Sequence, residues 1–282
     1  MNRTYSMKHY RKFLNLRKIG FSTNKISKIM GISQPVLYFW DKGSLPLRFS
    51  KKHLDSSLKK IRSYNEMNRK LREEKYNKLK LNVTPEFAFI LGSILGDGCI
   101  TIRKRDNRTM GQIELVTKDK DYAINFRDSL EEWSQTKCKL IFYRNVWHVW
   151  SYSLSIARCL RDFNPTNLLS LDDRIKSSFL RGIFDAEGSV DVQSKKIIFA
   201  NKSAKIINLV NNILESLKIE PKVYVRNSKI RFIDNRKLLP SSYFVIQIGS
   251  KEKLKLFYES IGFSIKRKQE RLKVLMNSYK PL

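Results

Sequence analysis

Two acids, each followed by glycine at the end of an apolar stretch, are the residues of this sequence best suited to do chemistry. They are Asp97 in TPEFAFILGSILGDG and Glu187 in KSSFLRGIFDAEG, 90 residues apart (187 − 97). Carboxylate oxygens are hard donors that suit Mg²⁺, with Mn²⁺ an expected substitute. Such a cation beside a phosphodiester activates water and stabilises the departing oxygen. A single Asp-Gly would be no more than a turn signal. The case rests on its occurring twice in the same surroundings.

Those surroundings must bring the acids together. Each apolar stretch has helical character and carries small residues four apart: Gly92 and Gly96 in one, Gly182 and Ala186 in the other. Four residues is about one helical turn, so each pair lies on one stripe. Glycine inside a helix costs roughly 1 kcal/mol relative to alanine. Its use in both helices predicts a close backbone approach, stripe against stripe, with Asp97 beside Glu187. Two like charges at the negative ends of two helix dipoles repel unless a cation lies between them.

The repetition continues beyond the acids. After each, a strand alternates: Ile100 and Ile102 oppose Thr101, Arg103 and Arg105, and Val190 and Val192 oppose Ser189, Asp191 and Gln193. IELVTKDKDYAINFRDSLEEW then aligns without a gap over IIFANKSAKIINLVNNILESL, each a strand running into an amphipathic helix, with Lys118 over Lys202. Two further strands follow in each half, and a last helix begins near Leu254. The expected fold class is α+β: two pseudo-symmetric αββαββα halves preceded by an all-α module. The expected domains are residues 1–48, a basic helical linker over 49–83, and halves over 84–176 and 177–282.

The chain has 282 residues and a formal net charge of +30. Residues 1–80 carry 21 Lys/Arg against 5 Asp/Glu, so the N-terminal part is the more cationic per residue. A polyanion partner is implied, nucleic acid before anionic membrane, because neutralising phosphates releases counterions and the charge is not gathered on one amphipathic helix. With 41% hydrophobic residues the chain can bury a core. Three cysteines in no paired spacing argue against a disulfide framework or a zinc site and favour a reducing, intracellular setting. Neither a membrane-length apolar run nor a signal-peptide pattern is present, so the protein is not expected to be secreted.

KHYRKFLNLRKIGFSTNKISKIMGISQPVLYFWDKG reads as three helices. Tyr10, Phe13, Leu14, Leu16 and Ile19 recur at helical spacing in the first, and Ile26, Ile29 and Met30 mark the second. Ser22 or Thr23 suits the second helix start and Gly31 its end. Ser33 and Pro35 begin the third, which buries Val36, Leu37 and Trp40. The segment resembles a helix-turn-helix, with Gln34, Tyr38 and Lys42 on or near the groove-facing side. A three-helix bundle with no DNA role has the same apolar pattern. Between module and repeats, sparse apolar positions (Leu54, Leu58, Ile61, Leu71) suit either a DNA-held basic helix or a solvated one.

ILGSILGDG (Ile90–Gly98) and LRGIFDAEG (Leu180–Gly188) resemble the nine-residue motif of the LAGLIDADG homing endonucleases in their single-chain, two-repeat form. The first departs at its sixth position, where Leu95 replaces an acid. The resemblance covers roughly residues 84–276. It implies that the motif helices form the interface between the halves and that each half lays a saddle of strands in the DNA major groove. It further implies double-strand cleavage across the minor groove, leaving short 3′ overhangs on a long asymmetric site, by a monomer. The implied metal set is Asp97 and Glu187, with Gly96 and Ala186 before them. Lys266 in FSIKRKQERL matches the family's active-site lysine by position, and Lys118 and Lys202 sit near its second polar position. Only Arg174 and Lys176 stand near a first-half counterpart. On the saddle, Arg103, Arg105, Gln112, Glu114, Asp191, Gln193, Tyr224 and Arg226 are of types able to read base edges.

The resemblance leaves two alternatives to an endonuclease: a catalytically weak or inactive DNA-binding regulator on the same scaffold, and an RNA-splicing maturase. An intein is disfavoured, since MNRT and SYKPL supply no splice-junction nucleophile or terminal His-Asn pair.

Overall fold

A computed structural model describes residues 5–44, 51–105, 108–227, 231–233, 236–238 and 242–279; the side chains at 51–58, 81, 105, 108, 231–233 and 236–238 lie outside that description. The chain divides into two units, Met1–Lys70 and Leu71–Leu282.

In the first unit, helices α1 (Met7–Lys18), α2 (Thr23–Met30) and α3 (Gln34–Asp41) close over Phe13, Ile26, Ile32, Leu37 and Trp40. The Ser22 hydroxyl accepts from the Lys25 amide and starts α2. Gly31, at φ 63°, ends it in the left-handed conformation that glycine tolerates. Arg17 forks onto the Asp41 carboxylate at 2.8 and 3.0 Å and ties α1 to the end of α3. Leu14, Ile19 and Ile29, expected among the apolar faces, are instead exposed. Helix α4 (Lys51–Leu81) is unbroken, as its lack of glycine and proline predicts. Its last turns belong to the second unit, where Leu79 is buried and the Ser155 hydroxyl donates to the Arg72 carbonyl at 2.9 Å.

The second unit holds the repeat. The first half runs α5 (Pro85–Gly96), β1 (Gly98–Arg105), β2 (Arg108–Thr117), α6 (Lys120–Ser134), β3 (Lys139–Tyr143), β4 (Val146–Tyr152) and α7 (Leu154–Asp162). After a 3₁₀ turn at Pro165–Ser170 the second half runs α8 (Asp173–Glu187), β5 (Gly188–Asp191), β6 (Lys196–Asn201), α9 (Ala204–Ser216), β7 (Lys222–Asn227), β8 (Arg231–Ile233), β9 (Arg236–Leu238), β10 (Ser242–Ile248), α10 (Lys251–Ser260) and α11 (Lys266–Asn277). Both halves are αββαββα; the second adds the β8–β9 hairpin and α11. Helix α8 begins at Asp173, so a division between 176 and 177 falls inside it.

Each half has a four-stranded antiparallel sheet, ordered β1-β2-β4-β3 and β5-β6-β10-β7. The expected alternation is observed. Ile100 lies opposite Ile113, and Leu115 opposite Val149, on the face packed against the helices. In the second sheet Val190 faces Ile197 on the equivalent side. One core, centred on α5 and α8, runs through both halves.

Candidate functional site

Helices α5 and α8 meet along the glycine stripe. A Cβ at Gly92 would overlap the Phe179 carbonyl oxygen and stand 2.9 Å from the Ile183 amide nitrogen. At Gly182 it would overlap the Phe89 carbonyl oxygen and stand 3.0 Å from the Ser93 amide nitrogen. The contacts are reciprocal, and in both cases the obstacle is backbone. One turn further on, a Cβ at Gly96 would strike Ala186 and lie 3.4 Å from Glu187 Cγ. At the other end Ser178 Oγ donates to the Pro85 carbonyl at 2.6 Å. The helices therefore run parallel, and their negative ends finish together. Asp97 is the C-cap of α5 and Glu187 the last residue of α8.

Both carboxylates reach the surface. Even so, the helix ends and strands around them exclude enough water to raise both above their ordinary values. Glu187 is raised further by the Asp97 charge, and Asp97 by Asp119, while Lys268 opposes both shifts. Among the described residues no group of three or more His, Cys, Asp or Glu side chains stands together. The donor set is thus two hard carboxylates at a doubly negative helix end. It fits an oxygen-seeking divalent ion that keeps several waters or phosphate oxygens in its shell.

Among the described residues the ammonium at this helix end is that of Lys268, whereas the side chain of Lys266, the lysine expected here, lies at the surface. The Lys266 side chain is exposed, and that residue contributes only its backbone amide, which donates to Asp121 at 2.5 Å. Lys268 is buried; its ammonium donates to the Asp185 carbonyl at 2.5 Å and the Phe184 carbonyl at 3.2 Å, at the end of α8. Burial lowers its pKa, against the pull of Asp185, Asp119 and Asp97. Lys268, Leu272 and Leu275 are spaced i, i+4, i+7 along one face of α11, and all three are buried. Lys266 is off that stripe.

Lys118 and Lys202 occupy equivalent places just past β2 and β6, and both side chains are exposed. Arg174 and Lys176 lie at the start of α8, where Lys176 pairs with Asp173 at 3.3 Å. Eleven residues of helix put Lys176 about 16 Å from Glu187. It is no counterpart to Lys268.

Sequence reasoning also left out three acids. Asp185, the motif acid that Leu95 replaces in the first half, is buried. It accepts from the Ser264 amide (3.1 Å to each oxygen), the Ser264 hydroxyl (2.5 Å) and the Ile265 amide (3.3 Å). It thereby serves the start of α11, whose N-cap Ile265 has no side-chain oxygen. Burial pushes its carboxyl up to about 6. In the first half no such helix follows: α7 is capped by its own Ser153, and Leu95 packs against the core. Asp119 takes the Arg267 guanidinium on both oxygens, at 2.7 and 2.8 Å, and is held below the usual carboxylate range by it. Asp121 is the acceptor for Lys266.

Away from the helices each sheet has an open face. In the first half the pairs Thr101–Gln112, Cys99–Glu114, Gln112–Tyr152 and Glu114–Trp150 put these residues, with Arg103, opposite the buried Ile113 and Leu115. Gln112 donates to Glu114 at 3.3 Å, and Glu114 lies 3.4 Å from His148 Nδ1. In the second, Asp191 pairs with Lys196, and Tyr224 and Arg226 lie on the same face of β7. Tyr224 donates to Gln247 at 3.0 Å. Gln193 is in the turn after β5, not on a strand. The side chain of Arg105 lies outside the described residues.

The LAGLIDADG-like domain family matches residues 174–262. The protein MJ0398 of Methanocaldococcus jannaschii is 27% identical over 275 residues, spanning 94% of this chain and 91% of that one. A second protein of that organism, MJ0314, is 26% identical over 167 residues, 52% of this chain and 60% of its own. Among solved structures, I-DmoI in complex with DNA and Mn is similar to 64% of this chain and 97% of its own, with a TM-score of 0.50 and 19% identity. At that identity the likeness concerns the fold. The paired four-stranded sheets share the fold of that homing endonuclease, and the second half, over residues 174–262, matches the LAGLIDADG-like domain.

Proposed function

We infer that the protein is a site-specific double-strand DNA endonuclease of the homing type. The observation that carries this reading is the convergence of Asp97 and Glu187 at two parallel helix C-termini, with Lys268 beside them. The carboxylates hold divalent metal, Mg²⁺ with Mn²⁺ as substitute. When bound, it polarises the phosphate and lowers the pKa of attacking water. Asp97 and Glu187 would hold the cation from opposite repeats, Gly96 and Ala186 let the two helix ends approach closely, and Lys268 adds positive charge beside the carboxylates. Lys118 and Lys202, at the rim, contact phosphate.

The sheet faces lie in successive stretches of major groove. Arg103, Arg105, Gln112, Glu114, Asp191, Gln193, Tyr224 and Arg226 supply base and phosphate contacts. Equivalent positions differ between the halves, Gln112 and Glu114 against Lys196 and Ile198, for example. Two unlike faces read two unlike half-sites, so the target is long and asymmetric. Both motif helices come from one chain, so a monomer suffices. The N-terminal module acts as a helix-turn-helix, with Gln34, Tyr38 and Lys42 toward DNA; Tyr38 is 58% exposed, with Lys42 over its ring at 5.7 Å. No helix among the described residues is long and apolar enough to cross a membrane. The unpaired Cys99, Cys138 and Cys159 suit an intracellular setting.

The test is a cleavage selection on a randomised duplex library with Mg²⁺ or Mn²⁺. Recovery of one long asymmetric duplex, cut on both strands by the wild type and by neither Asp97→Asn nor Glu187→Gln, supports the reading. Binding of one duplex without cutting points to a regulator, and selective binding of structured RNA to a splicing role.

A further inference from the structure

The first turn of α11 is held by residues of both repeats. Asp185 of the second repeat accepts from the two residues before the helix, and Asp121 of the first accepts from the Lys266 amide. Asp119, also of the first, takes the Arg267 guanidinium on both oxygens. Lys268 follows at once, with its ammonium on the α8 carbonyls. Three consecutive residues are thus fixed from three directions, and the third is the buried lysine.

Asp119 is the most informative of these. It occupies the N-cap position of α6, where an aspartate ordinarily accepts from the helix's own amides. It makes no such side-chain bond. Its carboxylate turns instead to a residue 148 positions later. A planar guanidinium on both oxygens fixes direction as well as distance. At the equivalent place in the second half the residue is Ser203, which caps its own helix through the Ile206 amide. The residue equivalent to Asp121 is Lys205, of opposite charge. The arrangement exists only where there is an α11 to hold.

This asymmetry bears on catalysis. Two carboxylates converge, one from each repeat, but among the described residues only the second repeat brings a buried lysine to them. One ammonium cannot attend two phosphates on opposite strands equally. We propose that Asp119 is a positioning residue that, through Arg267, seats the first turn of the other repeat's last helix and so sets the rate at which Lys268's strand is cut, leaving the other strand less affected. This rests on the endonuclease reading.

The experiment follows nicking and linearisation of a supercoiled plasmid carrying the duplex recovered in the selection above, with Mg²⁺. Strand-specific end labels identify each cut. Asp119→Ala is expected to slow one strand about tenfold more than the other, so that nicked circles accumulate. Asp119→Asn, which keeps the shape and removes the charge, shifts the strand ratio the same way and serves if the alanine variant does not fold. Exchanging the pair (Asp119→Arg with Arg267→Asp) returns the ratio toward the wild-type value, which a general loss of stability would not do. Lys268→Met should affect the same strand. Equal slowing of both strands, or an unchanged ratio in Asp119→Asn where Lys268→Met shifts it, overturns the positioning role and leaves the endonuclease reading standing. A wild-type chain that cuts neither strand overturns both.

Discussion

Replacing Gly182 by alanine tests the helix contact on which the site depends. The added methyl would overlap the Phe89 carbonyl oxygen and crowd the Ser93 amide and hydroxyl, each 3.0 Å away. Backbone cannot rotate aside as a flexible side chain can, so α5 and α8 must part by about 1 Å to restore ordinary contact. Overpacking of this kind costs up to about 3 kcal/mol or somewhat more, while alanine returns roughly 1 kcal/mol of helix propensity. A net loss of about 2 kcal/mol follows. For a unit of this size that lowers the unfolding midpoint by roughly 4–8 °C. Gly92→Ala, against Phe179, should behave alike. Urea unfolding followed by tryptophan fluorescence measures both, since Trp133 packs on Phe87 of α5 at 5.0 Å between ring centres. Variants as stable as the wild type, or more so, would show that these helices do not meet at van der Waals distance.

Three other outcomes follow from the same geometry. The Asp185 carboxyl is raised in the folded chain to about 6 from an ordinary 3.8, so it favours folding while protonated and loses that advantage as pH rises through 4 to 6. Its share of the change is roughly 3 kcal/mol; Asp185→Asn should flatten the difference in stability between pH 4 and 7 in metal-free buffer, and an unaltered pH profile would contradict the burial. Lys268→Met should reduce cleavage at least a hundredfold and Lys266→Met only a few-fold, measured as single-turnover rates at saturating DNA; the reverse order would return the role to Lys266. Asp97→Asn relieves repulsion at the paired helix ends, so without metal its unfolding free energy should match or slightly exceed that of the wild type, by about 0.5 kcal/mol at most after solvent screening. Mg²⁺ should then stabilise the wild type and not the variant, and the opposite pattern in calorimetry would argue against a shared cation.

Features set by local physics were legible in the sequence. The four-residue spacing of Gly92 and Gly96, and of Gly182 and Ala186, needs only helical periodicity to be read as a stripe. The two-residue alternation around Ile100 and Ile102 fixes which side of the sheet is open. Ser22, Gly31 and Pro35 delimit their helices by capping chemistry alone. What escaped was long-range. Within KRK at 266–268 the residue types do not distinguish one lysine from another; burial does, through the stripe that Lys268 shares with Leu272 and Leu275. Asp119 reads as an ordinary cap until its partner 148 residues away is placed. Leu95 looks like a defective motif until α11 supplies the reason for Asp185: the acid serves a helix that only the second half has. The exposed Ile19 and Ile29 show the opposite limit, since a short helix at the surface can carry apolar residues off its buried face.

The central claim is that Asp97 and Glu187 share a divalent cation over the DNA backbone. Anomalous diffraction from Mn²⁺ in a crystal of the full chain bound to its selected duplex tests this most directly. Manganese density is expected in contact with both carboxylates and with a phosphate oxygen, and is expected to be lost in Asp97→Asn. Manganese bound elsewhere, or none between these side chains in crystals whose DNA is cut, would contradict it.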